Sequence, residues 1–175
     1  PQEVSNTLWA VATMGKQVPP GQLQHMLDAL VGMLQQSNPQ NLSNTLWAVA
    51  TMEQQVPPGQ LQHMLYALVG MLQQAKPQDV SSTLLACAKL GWLPQQLLAA
   101  PGLSGLLLAG TPQHLANAAW ACGQLGHRDE QLMGALLAEA GRRLAKAGGG
   151  TTTSTRNSFN SQGLCNMCWS AAVLH

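Results

Sequence analysis

The chain has 175 residues, of which 46% are apolar and only 9% charged, with a net charge of +1. The apolar share suffices for a buried core and excludes a disordered polymer, while the near-neutral balance excludes a domain that holds phosphates by a strong basic field. No stretch approaches the ~18 uninterrupted apolar residues of a membrane-spanning helix, so none is predicted.

In chain order, the first signal is repetition. PQEVSNTLWAVATM opens at Pro1 and returns as PQNLSNTLWAVATM at Pro39; residues 1–38 and 39–76 agree at 31 of 38 positions. The phase recurs as PQDVSSTLLACAKL from Pro77, PQHLANAAWACGQL from Pro112 and SQGLCNMCWSAAVL from Ser161. The units are therefore 1–38, 39–76, 77–111 and 112–160, followed by a partial fifth over 161–175.

Each unit reads as two helices. Pro opens the first, where a missing N–H costs nothing, and Asn38 and Thr111 precede it as N-caps. Leu42, Leu46, Val49 and Ala50 fall on one helical stripe. Pro57 and Pro58 end that element and start the next, where Leu61, Met64, Leu65, Leu68, Val69 and Leu72 keep the spacing. Neither helix buries its stripe alone, so the fold class predicted is all-α, an α-solenoid of tandem hairpins with a period of about 38 residues. Pro101 and Gly102 fall inside the third copy's second helix and predict that it is short or broken. In the fourth copy a helix is predicted over 128–146, with Asp129 and Glu130 at its start and Arg142, Arg143 and Lys146 at its end, a polarity that suits the macrodipole. The tract 148–161 has too little apolar content to pack and is expected to be a solvated insert. Pro1 in place of Met and a last copy cut short predict a piece of a longer protein, with any targeting segment outside it.

Counting from each opening Pro, positions 4, 8, 11 and 12 are expected to face the second helix. Position 9 holds Trp9, Trp47, Trp120 and Trp169, with Leu85 in the third copy, and is expected to pack between hairpins, a base-stacking platform being the competing reading. Positions 3, 6, 10 and 13 are expected to form the outward face. Position 10 is small, with Ala10, Ala48, Ala86, Ala121 and Ser170. Position 6 is Asn6, Asn44, Asn117 and Asn166, with Ser82 as the exception. Position 3 varies through Glu3, Asn41, Asp79, His114 and Gly163; position 13 varies through Thr13, Thr51, Lys89, Gln124 and Val173. A small residue flanked by polar ones leaves room for a strand to lie. Asn bonds both donor and acceptor edges of a base. Position 6 is thus expected to supply shared contacts, and positions 3 and 13 selectivity; an Asn ladder tying neighbouring repeats is the competing reading.

Cys165 and Cys168 form a CxxC, but Cys168 falls at position 8, and Cys87 and Cys122 at position 11, where other copies are apolar. No metal, cofactor, disulfide or small-molecule substrate is predicted. His25 and His63 are equivalent copies with no acidic or nucleophilic partner in phase, and the glycines at 148–150 lack the Lys of a phosphate loop. No enzyme activity is expected.

The pattern carried by Pro39, Gln40, Leu42, Asn44, Leu46, Trp47 and Ala48, with Pro57 and Pro58 downstream, resembles the octotricopeptide repeat of green-algal organellar proteins. It is also similar to the repeats of FAST-kinase-like proteins that often end in a RAP domain. The resemblance covers all but residues 148–161. It implies an RNA-binding protein of the chloroplast, or alternatively the mitochondrion. Such a protein governs maturation, stability, splicing or translation of particular transcripts, with single-stranded RNA along the first-helix face and other processing proteins as further partners. Ser82, Leu85 and the Pro101–Gly102 break depart from the pattern, so the third copy is expected to interrupt readout. The alternative function is a protein–protein scaffold, since helical arrays also hold proteins in their concave face.

Overall fold

A computed structural model describes residues 1–148 and 159–174, and these residues are helical with no strand among them. The first helices of the successive copies are α1 (Gln2–Thr13), α3 (Pro39–Thr51), α5 (Pro77–Lys89), α8 (Pro112–Leu125) and α10 (Ser161–Leu174). The second helices are α2 (Pro20–Gly32), α4 (Pro58–Gly70), the pair α6 (Gln95–Leu98) and α7 (Leu103–Leu108), and α9 (Glu130–Gly148). The break in the third copy falls at Pro101 and Gly102, the latter at φ 86°, a left-handed conformation that glycine adopts without strain. Of the expected insert, residues 149–158 lie outside the described residues; Phe159 and Asn160 lead into α10.

The first helices start and stop by local rules. Asn38 and Asn41 form a reciprocal cap: Asn41 N–H donates to Asn38 Oδ1 at 2.8 Å and Asn38 N–H donates to Asn41 Oδ1 at 3.2 Å. The returning half recurs where Lys76 N–H donates to Asp79 Oδ2 at 2.9 Å and Thr111 N–H to His114 Nδ1 at 3.1 Å. At the other end the N–H of Lys16, Gln54, Trp92 and His127 returns to the carbonyl of Val11, Val49, Cys87 and Cys122 at 2.9–3.1 Å. This six-residue closure needs a left-handed residue before it. Gly15, Gly91 and Gly126 supply it at φ 64–67°, and Glu53 supplies it at φ 54°.

The first helices lie side by side in chain order, α1 on α3, α3 on α5, α5 on α8 and α8 on α10. Second helices cover one flank of that row and touch each other more sparsely, through α2 on α4, α4 on α6 and α7 on α9. One continuous core runs between the two layers, with Leu42, Leu46, Leu65, Leu68, Leu84 and Leu115 all at 0–2% exposure. Full burial of each such side chain contributes roughly 1.5–3 kcal/mol, and this term holds the hairpins together. Arg143 ties α9 back, donating to the carbonyls of Gly110 at 2.6 Å and Leu108 at 2.7 Å while pairing with Glu139.

Candidate functional site

The two end helices reveal what each face does. α1, which meets only a following neighbour, buries Ser5, Leu8 and Ala12, that is positions 5, 8 and 12. α10, which meets only a preceding neighbour, buries Gly163, Met167 and Ser170, positions 3, 7 and 10. α3, between two neighbours, buries both sets together with Leu42 and Val49 at positions 4 and 11. At about 100° per residue these are three sides of one cylinder. The fourth side, positions 2, 6, 9 and 13, is what packing leaves outside.

This corrects the face derived from the sequence. Positions 3 and 10 are not open: Ala48, Ala86 and Ala121 are at 0% exposure, and Asn41 and Asp79 at 6%. Their small size and capping groups serve the joint between first helices. Asn41 Nδ2 even donates across it to Ser5 Oγ at 3.3 Å. His114 is half-buried in its cap, and Glu3 is exposed on α1, which has no preceding neighbour. Ala10 is exposed for the same reason. The sequence expectation counted only the second helix as a partner, whereas each inner first helix has two more on its sides. Cys168 is a second correction: it occupies position 8 yet is exposed, because α10 packs on α8 by its other side. Cys87 and Cys122 do lie in the core, where burial pushes each thiol up to about 12 and keeps it protonated.

Position 9 is both packed and partly exposed. Trp47 and Trp120 are half-buried against the core, and the Trp169 ring lies 3.0 Å from where a Cβ on Gly123 of α8 would stand, so the indoles border the joints as expected; on the two end helices Trp9 is 45% and Trp169 42% exposed. Trp9 and Trp47 are in tilted contact, with ring centroids 6.4 Å apart and planes at 34°. Along the same side run Gln2, Gln40, Gln78, Gln113 and Gln162, all exposed. Asn6 is exposed, and Asn44, Ser82, Asn117 and Asn166 are half-exposed. At position 13, Thr13, Lys89, Gln124 and Val173 are exposed and Thr51 is partly covered. Sequence reasoning missed the glutamines, although their constancy at position 2 was visible.

The ridge is rich in carboxamides and nearly free of charge, Lys89 being its one ionised side chain among the described residues. Between α8 and α10 it deepens into a cleft of about 600 Å³ lined by Gln113, Asn117, Phe159, Asn160, Gln162 and Asn166. Gly163 makes room there: it stands where other copies carry the capping side chain, and Asn160 Oδ1 caps instead, accepting from Gly163 N–H at 2.7 Å. Such a surface offers paired donors and acceptors beside flat apolar rings. Among the described residues no three His, Cys, Asp or Glu side chains converge as a metal site. No protein-family model matches the chain, and no curated protein matches it.

Proposed function

We propose that this chain is an α-solenoid of 38-residue helical hairpins that binds single-stranded RNA along the outward ridge of its first helices. The observation that carries the reading is the ridge itself. In each of five copies packing leaves the same four positions at least partly exposed, and these present Gln, mostly Asn, mostly Trp and a variable residue. Constant carboxamides hold bases or sugars without discriminating, while position 13 varies and supplies selectivity. Asn41 and Asp79 contribute through helix geometry instead. The likeness of the unit to the octotricopeptide repeat supports the same reading and an organellar setting, the chloroplast or the mitochondrion, where such a protein acts on RNA processing, stability or translation.

The scarcity of cations favours a second reading, a scaffold for a protein ligand, because phosphate contacts ordinarily supply much of RNA affinity. Selection from a random single-stranded RNA pool with the chain as bait separates the two. An enriched consensus, bound with a shallow salt dependence, supports the proposal. A pool from which nothing is enriched overturns it and leaves the scaffold.

A further inference from the structure

Trp9, Trp47, Trp120 and Trp169 stand in phase beside the exposed carboxamides of the first helices, and none of the four is fully buried although Trp47 and Trp120 pack in part against the core. Tryptophan is the residue with most to gain from burial, and the same helices bury Leu8 and Leu46 completely one position earlier. Nor do the joints need an indole at position 9. In the third copy Leu85 takes its place, and α5 still packs on α3 and on α8 as its counterparts do. A large aromatic left partly accessible at every copy but one is explained by what it meets from outside.

We infer that these four tryptophans are stacking platforms for unpaired nucleobases, one base per first helix, with Leu85 a gap in the track. This rests on the RNA reading above and names the groups that hold the ligand. A base offers a flat π-face to the indole and a rim of donors and acceptors to the carboxamides beside it, Asn44 on α3 and Gln113 and Asn117 on α8. Because every base has such a face, stacking secures the strand without choosing its sequence, which leaves choice to position 13. Near-absence of charge on the ridge fits a strand held by its bases more than by its phosphates. The tilted contact of Trp9 with Trp47 makes the platforms of the first two copies continuous.

The test uses the whole chain and short single-stranded RNA of random sequence, followed by tryptophan fluorescence, with a strand of the same length lacking bases as control. Base-bearing RNA is expected to quench the fluorescence, and the base-free strand to leave it unchanged. Trp47→Leu and Trp120→Leu copy the natural third repeat; each is expected to weaken binding roughly tenfold per folded molecule. Leu85→Trp closes the gap and is expected to tighten binding by a similar factor. Unchanged affinity in folded Trp→Leu variants overturns the inference while leaving RNA binding intact. Should those variants fail to fold, Leu85→Trp decides alone, and unchanged affinity there overturns it. Failure of the unaltered chain to bind any RNA overturns the function and the platforms together.

Discussion

The carboxamide of Gln54 closes both its hydrogen bonds on the main chain of Val18, its Nε2 donating to the carbonyl at 2.6 Å and its Oε1 accepting from the N–H at 3.4 Å. One side chain thereby stitches the loop of the second copy to the loop of the first, and Gln17 adds a bond to the Met52 carbonyl at 3.3 Å. Gln54→Ala leaves two partly covered main-chain groups unpaired and is expected to cost about 1–2 kcal/mol. Chemical denaturation reads the loss. The double variant with Gln17→Ala is expected to lose more than Gln54→Ala alone and less than the sum of the two single losses.

Glu53 holds a left-handed backbone that Gly15, Gly91 and Gly126 hold in the other copies. An L side chain is strained there, and the glycine variant relieves the strain while losing some through greater freedom of the unfolded chain. Glu53→Gly is expected to stabilise the protein by roughly 0.5–1 kcal/mol, a rise in melting temperature of about 1–4 °C. A fall would show that the Glu53 side chain does something its conformation does not reveal.

A side chain added at Gly123 meets Trp169 Cζ3 at 3.0 Å and Ser170 Cα and Oγ at 3.1 Å. The main chain of α10 is one of those neighbours and has little room to give. Gly123→Ala is expected to cost about 1–3 kcal/mol and to loosen α10 first, visible as faster proteolysis near residue 160. Ala121→Leu, at position 10 in the joint with the preceding α5, is expected to cost a similar amount there, whereas Ala10→Leu, with that side of α1 exposed, is expected to leave stability within about 0.5 kcal/mol.

How far the sequence could be read divides along these positions. The all-helical fold, the Asn38 cap and the break at Pro101–Gly102 were legible because each depends on residues near one another in sequence. Which side of a first helix meets its neighbours was not. Polarity marks the stripe against the second helix, but alanine at position 10 reads equally as a bare surface or a tight joint. Asn41 and Asp79 look like surface polar groups until their caps and the adjoining helix are seen. The glycine of the helix closure stands in phase in three copies and is masked by Glu53 in the second.

His114 caps α8 only while Nδ1 is an acceptor for Thr111 N–H. Burial lowers its pKa below the ordinary 6.5, against a smaller opposing pull from Asp79. A folded value below the unfolded one means that protonation favours the unfolded chain. Stability is therefore full above about pH 6.5 and declines as pH falls through that value towards the folded one. His114→Asn supplies the uncharged acceptor that Asn41 supplies in the second copy. Melting temperatures measured from pH 8 to pH 5 are expected to fall in the parent and to stay flatter in the variant.

Asn41 and Asn117 separate the joint from the ridge. Asn41→Ala removes a cap and the bond to Ser5, so about 1 kcal/mol of stability is expected to go while RNA affinity per folded molecule holds. Asn117→Ala is expected to do the reverse, changing melting by less than about 0.5 kcal/mol and weakening RNA binding several-fold. Equal loss of stability in both, with affinity untouched, would return position 6 to the structural ladder.

Cohesion and outward chemistry occupy different letters of the repeat. Neighbouring first helices grip through positions 3, 5, 7, 8, 10 and 12, while 2, 6 and 13, with the accessible part of 9, meet solvent. A freshly duplicated unit, as the 31 matches in 38 between the first two copies suggest, inherits a working joint at once. Its outer letters are then free to drift, one copy at a time, without the array ever having to relearn how to assemble.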